Sequence, residues 1–334
     1  MTDLSCPILR PDAIVRIAGD RVELEIEDHI FTVSGVPPSP LRHALSAMNG
    51  CLAPSAVARL SALPESTVNK LIEQLKSQGA LTTLPIATET DLKPEEFGAM
   101  CKRLNANWKQ RLFSHPLWQG LTAGTLERPV FIGWVVESMW FIEGVMDRLP
   151  MAIALTENRE IRSIFGKHFS EEWDHFRFFT RALDSLGVDA LQRELGKPLP
   201  ATAAVQHWMR AAARQDPLRY AVCSGFLEST GKDRLAATEF FSRVGRWYDN
   251  SGGGAVRPMA AHVALDEEYG HGGFVDKVLP HLGKLDPERA RAALQNAFGL
   301  VETLDMWSTD ILRHYQAPNA LPLRSMRTYR GRPA

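Results

Sequence analysis

Long helical periodicity after residue 95 restricts most of this chain to an α-helical fold. Apolar residues recur at helical spacing in seven segments, at about residues 95–113, 130–148, 157–186, 200–214, 217–248, 256–279 and 286–315. Proline, glycine or Asp-Pro pairs separate these segments, as is typical of helix ends. The alternation of a β-strand does not recur among them. We therefore predict an all-α bundle of about seven helices over residues 96–315.

The first 85 residues have a different pattern. Apolar and acidic residues alternate in Val22–Glu27, which predicts a half-buried strand within a small antiparallel unit at residues 13–34. Helical spacing follows in Leu41–Gly50, Ser55–Leu63 and Ser66–Gly79. Strands followed by three short helices predict a small α+β, winged-helix-like domain over residues 1–85.

Two polar segments complete the predicted organisation. Residues 86–95 contain proline and few apolar residues, which indicates a linker between the two domains. Residues 316–334 lack apolar periodicity and contain several arginines, which predicts a loose basic tail. The sequence thus predicts a domain at 1–85, a linker, a helical bundle at 96–315 and a tail.

Charge and cysteine content exclude several classes of protein. The 38 Lys and Arg balance 39 Asp and Glu, so no overall field attracts nucleic acid or an anionic membrane. The apolar run Val130–Val136 is too short for a membrane span and no signal peptide begins the chain, so we expect a soluble cytoplasmic protein. The four cysteines form no CxxC pair; they are Cys6, Cys51, Cys101 and Cys223. A metal site would therefore need histidine and carboxylate ligands.

The segment His168–His175 presents metal-binding residue types on one helix face. At about 100° per residue, positions 168, 172 and 175 share that face. Glu172 and His175 have the Glu-x-x-His spacing by which one helix supplies two ligands to carboxylate-bridged metal sites. The alternative is a solvated acidic face with a histidine at the edge of the core, because this spacing also arises by chance.

A second segment has a similar arrangement. His262, Asp266 and Tyr269 share one helix face through i, i+4 and i+7 spacing. His271 lies nearly opposite on a regular helix, but a break at Gly270 can bring it to the same side. The alternative is a hydrogen-bonded core histidine beside solvent-facing acids.

Two single acids lie in apolar surroundings. Glu137 is flanked by Trp134 and Trp140, and Glu228 follows an apolar run. A buried carboxylate is costly unless it is paired, protonated or bound to a metal. Each acid is therefore either a ligand or one half of a buried salt bridge, for example with Arg148 or Arg234. With the two preceding segments, four helices offer carboxylates and histidines, a set suited to non-haem iron or manganese.

These residues in this order resemble the haem-oxygenase-like superfamily, specifically its diiron oxidases and oxygenases, which are neighbours of pyrroloquinoline quinone synthase and thiaminase-type enzymes. The resemblance covers about 220 residues and is carried by Glu137 ahead of Leu149-Pro150, Glu172-x-x-His175 ahead of Leu183–Gly187, Glu228, and His262-x-x-x-Asp266. It implies a seven-helix bundle and a centre of two iron ions, or one, held by six ligands: Glu137, Glu172, His175, Glu228, His262 and Asp266. Haem is not expected, because His115 is the sole histidine near the place of a proximal ligand.

Tyr269 occupies a position where the resembled family usually has histidine. Four alternatives follow: Tyr269 is itself a ligand, the site is weaker or holds one metal, the chain belongs to a cofactorless branch, or His271 substitutes through a distorted helix.

The N-terminal 85 residues resemble the peptide chaperone of pyrroloquinoline quinone biosynthesis, a recognition element for precursor peptides. The resemblance rests on Leu9 to the Gly19-Asp20 turn and on the three helical segments after Leu41. It implies that a leader peptide adds as a strand to an edge within residues 22–34, beside a groove wall at residues 66–78. The alternative is a winged-helix DNA reader, but lysines alternate with glutamates on the third helix, which makes nucleic acid an unfavourable partner.

The expected function is O2-dependent oxidation of a ribosomally made precursor peptide at a non-haem iron site, with an external electron donor. A homodimer is one assembly that the sequence allows. The rivals are a cofactorless oxidase similar to the quinone synthase and a non-catalytic regulator that binds peptide or DNA. Hydroxylation, desaturation and oxidative cleavage all fit the sequence equally.

Overall fold

The computed structural model describes most of the chain as two compact units. The described residues are 6–10, 13–19, 21–26, 29–50, 52–82, 92–229, 234–317 and 324–325. We call Met1–Asn107 with Lys284–Arg291 the N-terminal unit, and Trp108–Gly283 with Ala292–Ala334 the helical unit. Most of the predicted linker, Asp20 of the predicted turn and most of the predicted tail lie outside the described residues.

Short antiparallel strands and three helices form the start of the N-terminal unit. The strands are β1 (Ile8–Leu9), β2 (Ile14–Ala18), β3 (Arg21–Ile26), β4 (His29–Val33) and β5 (Leu81–Thr82). Strands β2, β3 and β4 form a sheet in that order, and β1 pairs with β5. The helices are α1 (Pro38–Ala47), α2 (Pro54–Ser61) and α3 (Glu65–Ser77).

Alternation along β3 determines which face of the sheet is buried. Val22 and Leu24 are fully buried and Ile26 is 4% exposed, while Glu23 and Glu25 between them are half-buried. The apolar face packs with Leu41 of α1 and the other buried residues of the three helices in one hydrophobic core. The predicted antiparallel strands followed by three short helices are thus confirmed.

Helices make up nearly all of the remaining described residues. They are α4 (Pro94–Phe113), α5 (Pro116–Ala123), α6 (Arg128–Glu143), α7 (Val145–Leu155), α8 (Arg159–Glu172), α9 (Phe176–Ser185), α10 (Ala190–Leu195), α11 (Pro200–Gln215), α12 (Pro217–Ser229), α13 (Arg234–Tyr248), α14 (Val256–Glu268), α15 (Phe274–Val278) and α16 (Pro287–Tyr315). Short 3-10 helices lie at His271–Gly273 and Leu279–His281, and β6 (Gly196–Lys197) pairs with β7 (Arg324–Ser325). The mainly helical fold that the periodicity predicts is confirmed.

Several predicted long helices are divided in the structure. The segment predicted at 157–186 consists of α8 and α9, separated by a turn at residues 173–175. In this turn the backbone N–H of His175 donates to the carbonyl of Glu172 at 3.2 Å, three residues back, which is the tighter 3-10 pattern. His175 therefore lies in a turn and not within one continuous helix.

One helical stretch is long and apolar enough to cross a membrane by composition. Residues Arg128–Leu155, which comprise α6 and α7, have a mean hydropathy of 1.3 over their most apolar window and extend well beyond the short run Val130–Val136. Of that window, 56% is buried inside the protein. The core helix of a soluble bundle has the same composition, so this stretch is weak support for a membrane span.

Candidate metal centre

Acids and histidines of the helical unit meet in one cluster. We call it the His/carboxylate cluster; its members come from α8 and the turn after it, α12, α14 and the 3-10 helix after α14: His168, Glu171, Glu172, His175, Glu228, His262, Asp266 and His271. His175 and His271 are each 1% exposed, and His168 and Glu172 are also buried. The most exposed side chain among the carboxylates is that of Asp266, at 17%.

One group within the cluster has the size of a single-ion site, which we call metal position 1. The ligand atoms of Glu172, His175, His262 and Asp266 all lie within 4.8 Å of one another. Nδ1 of His175 lies 3.1 Å from Oε1 of Glu172 and 3.3 Å from Oδ1 of Asp266. Ligand atoms on opposite sides of a transition-metal ion are about 4.2 Å apart, so these four side chains can hold one ion.

A second group adjoins the first, and we call it metal position 2. His168, Glu172 and Glu228 have ligand atoms within the same 4.8 Å limit. Nε2 of His168 lies 3.4 Å from Oε1 of Glu228. Nδ1 of His271 lies 2.9 Å from Oε1 of Glu172, and 3.6 Å from both Oε2 of Glu228 and Oδ1 of Asp266. Because Glu172 belongs to both positions, its carboxylate is placed to bridge two ions.

Buried polar atoms without a hydrogen-bond partner are concentrated in this cluster. Among the described residues, half of the 14 such side-chain atoms belong to it: Nδ1 of His168, Oε1 of Glu172, Nδ1 and Nε2 of His175, Nε2 of His262, Oδ1 of Asp266 and Nδ1 of His271. Several of them lie close to one another but with directions unsuited to hydrogen bonds. Buried groups in native proteins are nearly always hydrogen-bonded, and atoms aimed at a common point are expected where a metal ion binds.

The carboxylates strongly favour protonation of two histidines in the metal-free protein. Burial opposes a charge on His175, but Asp266 and Glu172 outweigh it and raise its pKa to about 9. Burial likewise opposes a charge on His271, whose pKa Asp266, Glu172 and Glu228 raise to about 12. Despite burial, the adjacent histidines lower the carboxyl pKa of Glu172 and Asp266. Protons thus stabilise the cluster in the way that bound cations would, and metal binding must displace them.

The ligand atoms are nitrogen and oxygen only. None of the described cysteines belongs to the groups that can hold a metal. Cys223 is fully buried, its thiol lies against Asn296, and burial raises its pKa, so this thiol is not an activated nucleophile. Imidazole with carboxylate suits iron, manganese or zinc.

A turn after α14 decides between Tyr269 and His271. α14 ends at Glu268, and Gly270 adopts the left-handed conformation with φ of +66°. His271 is consequently buried in the cluster, whereas Tyr269 is 37% exposed. The structure thus brings His271, and not Tyr269, into the cluster through the break in the helix at Gly270.

Glu137 lies outside the groups that can hold a metal. Its Oε1 accepts a hydrogen bond from the Tyr315 hydroxyl at 2.9 Å, and its Oε2 accepts from the backbone N–H of Leu199 at 3.0 Å and from the Thr202 hydroxyl. The structure therefore does not bring Glu137 together with the other predicted ligands. The buried acid that the sequence singled out is instead satisfied by hydrogen bonds between α6, the start of α11 and α16.

Three cluster residues are absent from the six predicted ligands: His168, Glu171 and His271, of which only His271 was considered as an alternative ligand. His168 lies one turn before Glu172, so its shared face with Glu172 was the signal that could have identified it. Glu171 has no such signal, because its contact with Nε2 of His271 spans 100 positions.

His115 has a structural role. Its Nδ1 accepts from the backbone N–H of Leu117 at the start of α5, and its Nε2 lies 3.0 Å from the Thr309 hydroxyl. Both ring nitrogens of His115 are therefore engaged in contacts within the protein.

Comparisons with known proteins identify the fold of this part of the chain. Residues 102–251 match the model of the TENA/THI-4/PQQC family, and this segment contains His168, Glu172, His175 and Glu228. A comparison with curated proteins gave no match.

Two solved structures have similar folds. A domain of unknown function with a haem oxygenase-like fold from Shewanella denitrificans OS217 is 15% identical, with 65% of this chain and 93% of that chain covered and a TM-score of 0.58. A TenA homologue from Pseudomonas syringae pv. tomato DC3000 is 12% identical, with 69% and 98% covered and a TM-score of 0.52. At these identities the likeness concerns the fold alone. The chain thus has a haem-oxygenase-like fold, and its residues 102–251 are similar to the TENA/THI-4/PQQC family.

Proposed function

We propose that this chain is a non-haem iron oxidase or oxygenase that uses O2 to modify a ribosomally made precursor peptide. The observation that carries the proposal is the convergence of partnerless buried nitrogen and oxygen atoms in the His/carboxylate cluster. Leaving such atoms without partners is costly, and a bound cation removes that cost. The donor set suits several metals, and the resemblance to diiron oxidases favours iron among them.

The cluster residues divide into two sets around a shared carboxylate. Glu172 would be shared by both metal positions. His175, His262 and Asp266 would complete position 1, and His168, Glu228 and His271 would complete position 2. Three carboxylates neutralise most of the charge of two divalent ions. When bound and reduced, iron supplies the electrons that activate O2.

Exposure within the cluster indicates the side from which substrate approaches. The side chains of Asp266, His262 and Glu228 are 17%, 13% and 13% exposed, whereas His175 and His271 are 1% exposed. The buried side excludes water from the histidines. We therefore assign the face formed by Asp266, His262 and Glu228 to the peptide and O2.

A groove in the N-terminal unit supports the binding of a leader peptide. It has a volume of about 210 Å³ and lies between β4 and the end of α3, lined by Leu24, Ile30, Phe31, Thr32, Val33, Gln74, Leu75, Gln78 and Ala80. In the described sheet, β4 is an edge strand that pairs with β3 alone. A peptide can add to β4 through backbone hydrogen bonds and place an apolar side chain in the groove. Binding on the same chain raises the effective concentration of the core peptide at the metal.

The proposal is tested with the full chain, iron, a reductant, O2 and a short precursor peptide encoded beside this protein. We expect O2 consumption and a peptide that has gained an oxygen atom, lost two hydrogens or been cleaved. Treatment with a chelator should abolish both. Full activity after chelation would instead establish a cofactorless oxidase similar to the quinone synthase.

The third outcome of this test is a regulator. Such a protein would bind peptide or DNA but would retain no iron and consume no O2. The charge on α3 disfavours DNA, because Lys70 and Lys76 share that helix with Glu65 and Glu73. Tight binding of duplex DNA without binding of the leader would overturn the peptide assignment.

A further inference from the structure

We propose that Glu171 is a positioning residue that orients His271 as a ligand of metal position 2. This proposal rests on the metal centre of the proposed function and concerns a carboxylate that is not among the seven proposed ligands. Oε2 of Glu171 lies 3.1 Å from Nε2 of His271. The other ring nitrogen, Nδ1, lies 2.9 Å from Oε1 of Glu172.

The two nitrogens of His271 have different surroundings. Nε2 has Glu171 as its partner, whereas Nδ1 is buried with no hydrogen-bond partner among the described residues. In a neutral imidazole one nitrogen carries the proton and the other a lone pair. A carboxylate accepts only, so Glu171 fixes the proton on Nε2 and leaves the lone pair of Nδ1 facing metal position 2.

His271 needs such support because of where it lies in the fold. It starts the three-residue 3-10 helix His271–Gly273, directly after the left-handed Gly270, and so lacks the regular helix that holds His262. Its ring packs edge-on against that of His168, with centroids 4.6 Å apart. That contact restricts the plane of the ring, and the hydrogen bond to Glu171 determines which nitrogen faces the metal.

Glu171 is itself held on α8. Its Oε1 lies 3.7 Å from Nζ of Lys167 one turn earlier, and its side chain is 14% exposed. This salt bridge is weak because the Lys167 side chain is exposed to solvent, so the Glu171 carboxylate can still accept a hydrogen bond from His271. Glu171 also lies close enough to His168 and His271 to be a ligand in its own right, and the experiment distinguishes the two roles.

The test is an anaerobic titration of the metal-free full chain with Co2+, followed by visible absorption and equilibrium dialysis. We compare the wild type with Glu171→Ala, Glu171→Gln and His271→Ala, and use Glu267→Gln as the control because Glu267 is an exposed acid of α14. Circular dichroism checks that each variant is folded.

We expect two Co2+ per wild-type chain and per control chain. Glu171→Ala should lower the affinity for one of the two Co2+ ions about 10- to 100-fold, because loss of a carboxylate that orients a metal-bound histidine has an effect of this size. Glu171→Gln should recover most of that loss, because an amide oxygen still accepts from Nε2. His271→Ala should lower the affinity for the same Co2+ ion.

Three results would overturn the proposal. Wild-type affinity for both ions in Glu171→Ala would show that Glu171 positions nothing. Equal losses in Glu171→Ala and Glu171→Gln would show that its charge binds the metal directly. A wild type that binds no Co2+ would remove the metal centre of the proposed function, and this inference with it.

Discussion

Nδ1 of His175 lies 3.1 Å from Oε1 of Glu172, and within the described part of the chain both atoms are buried without a hydrogen-bond partner. The tight turn after α8 creates this proximity. Glu172 and His175 also belong to one group with His262 and Asp266, in which the ligand atoms lie within 4.8 Å of one another. This arrangement is what a cation between them requires.

Replacement of either residue should remove iron while the fold remains. We expect Glu172→Ala and His175→Ala to lower iron affinity by more than about 100-fold, because a ligand is lost and not merely a residue behind it. Iron analysis after anaerobic loading measures the loss, and circular dichroism checks the fold. Unfolded variants beside a folded metal-free wild type would contradict the assignment, because they would show a purely structural role.

Glu137 should behave in the opposite way. Glu137→Ala leaves the Thr202 and Tyr315 hydroxyls and the Leu199 N–H without this acceptor, which should destabilise the helical unit by about 3 kcal/mol or more. The iron content should stay at the wild-type value. Urea unfolding measures the first effect, and Glu143→Ala on the same helix is the control. Loss of iron from folded Glu137→Ala would return Glu137 to the ligand set.

Metal binding should strengthen with pH. His175 has a pKa of about 9 and must lose its proton before Nδ1 or Nε2 can bind a metal. Each proton released makes the apparent affinity rise about tenfold per pH unit below that pKa. Calorimetry of Co2+ binding in buffers of different ionisation enthalpy measures the proton release. An affinity independent of pH between 6.5 and 9 would contradict this account of His175.

The metal-free protein should show the reverse dependence. The folded pKa of His175 is raised above its ordinary value of 6.5, so its contribution to stability is complete below pH 6.5 and is lost as the pH rises through about 9. We therefore expect the melting temperature of the metal-free helical unit to fall across this interval. In His175→Ala the fall should be smaller, since that residue no longer contributes.

The groove beside β4 should accept the leader peptide. Gln78→Trp places a bulky side chain at the groove, and we expect it to weaken leader binding at least about tenfold by blocking the site. Glu73→Trp is the matched control, because Glu73 is exposed on α3, which ends just before Gln78, but does not line the groove. Fluorescence titration of the full chain with the labelled leader measures both. Equal affinities for the two variants would place the leader elsewhere.

The sequence predicts the helices well because their apolar faces form the bundle core. Glu172 and His175 are recognisable for a related reason: they lie three positions apart, and the turn after α8 keeps them together even though it interrupts the helix. His262 and Asp266 share a turn of α14 in the same way. Local spacing therefore identifies ligands that neighbouring residues position.

Contacts between distant residues could not be predicted. Glu137 looks like a ligand because it is acidic within an apolar helix, but its partner Tyr315 lies 178 positions away. His271 enters the cluster only because Gly270 adopts a left-handed conformation, which the sequence allows without requiring. Both outcomes depend on tertiary packing and on the conformation of a single residue.

The iron content of the full chain, loaded anaerobically and freed of excess metal, tests the central claim most directly. Mössbauer spectroscopy with enriched iron counts the bound ions and reports their ligands. We predict about two high-spin ferrous ions per chain with nitrogen and oxygen ligands, both oxidised on exposure to O2. A folded chain that retains no iron would contradict the account.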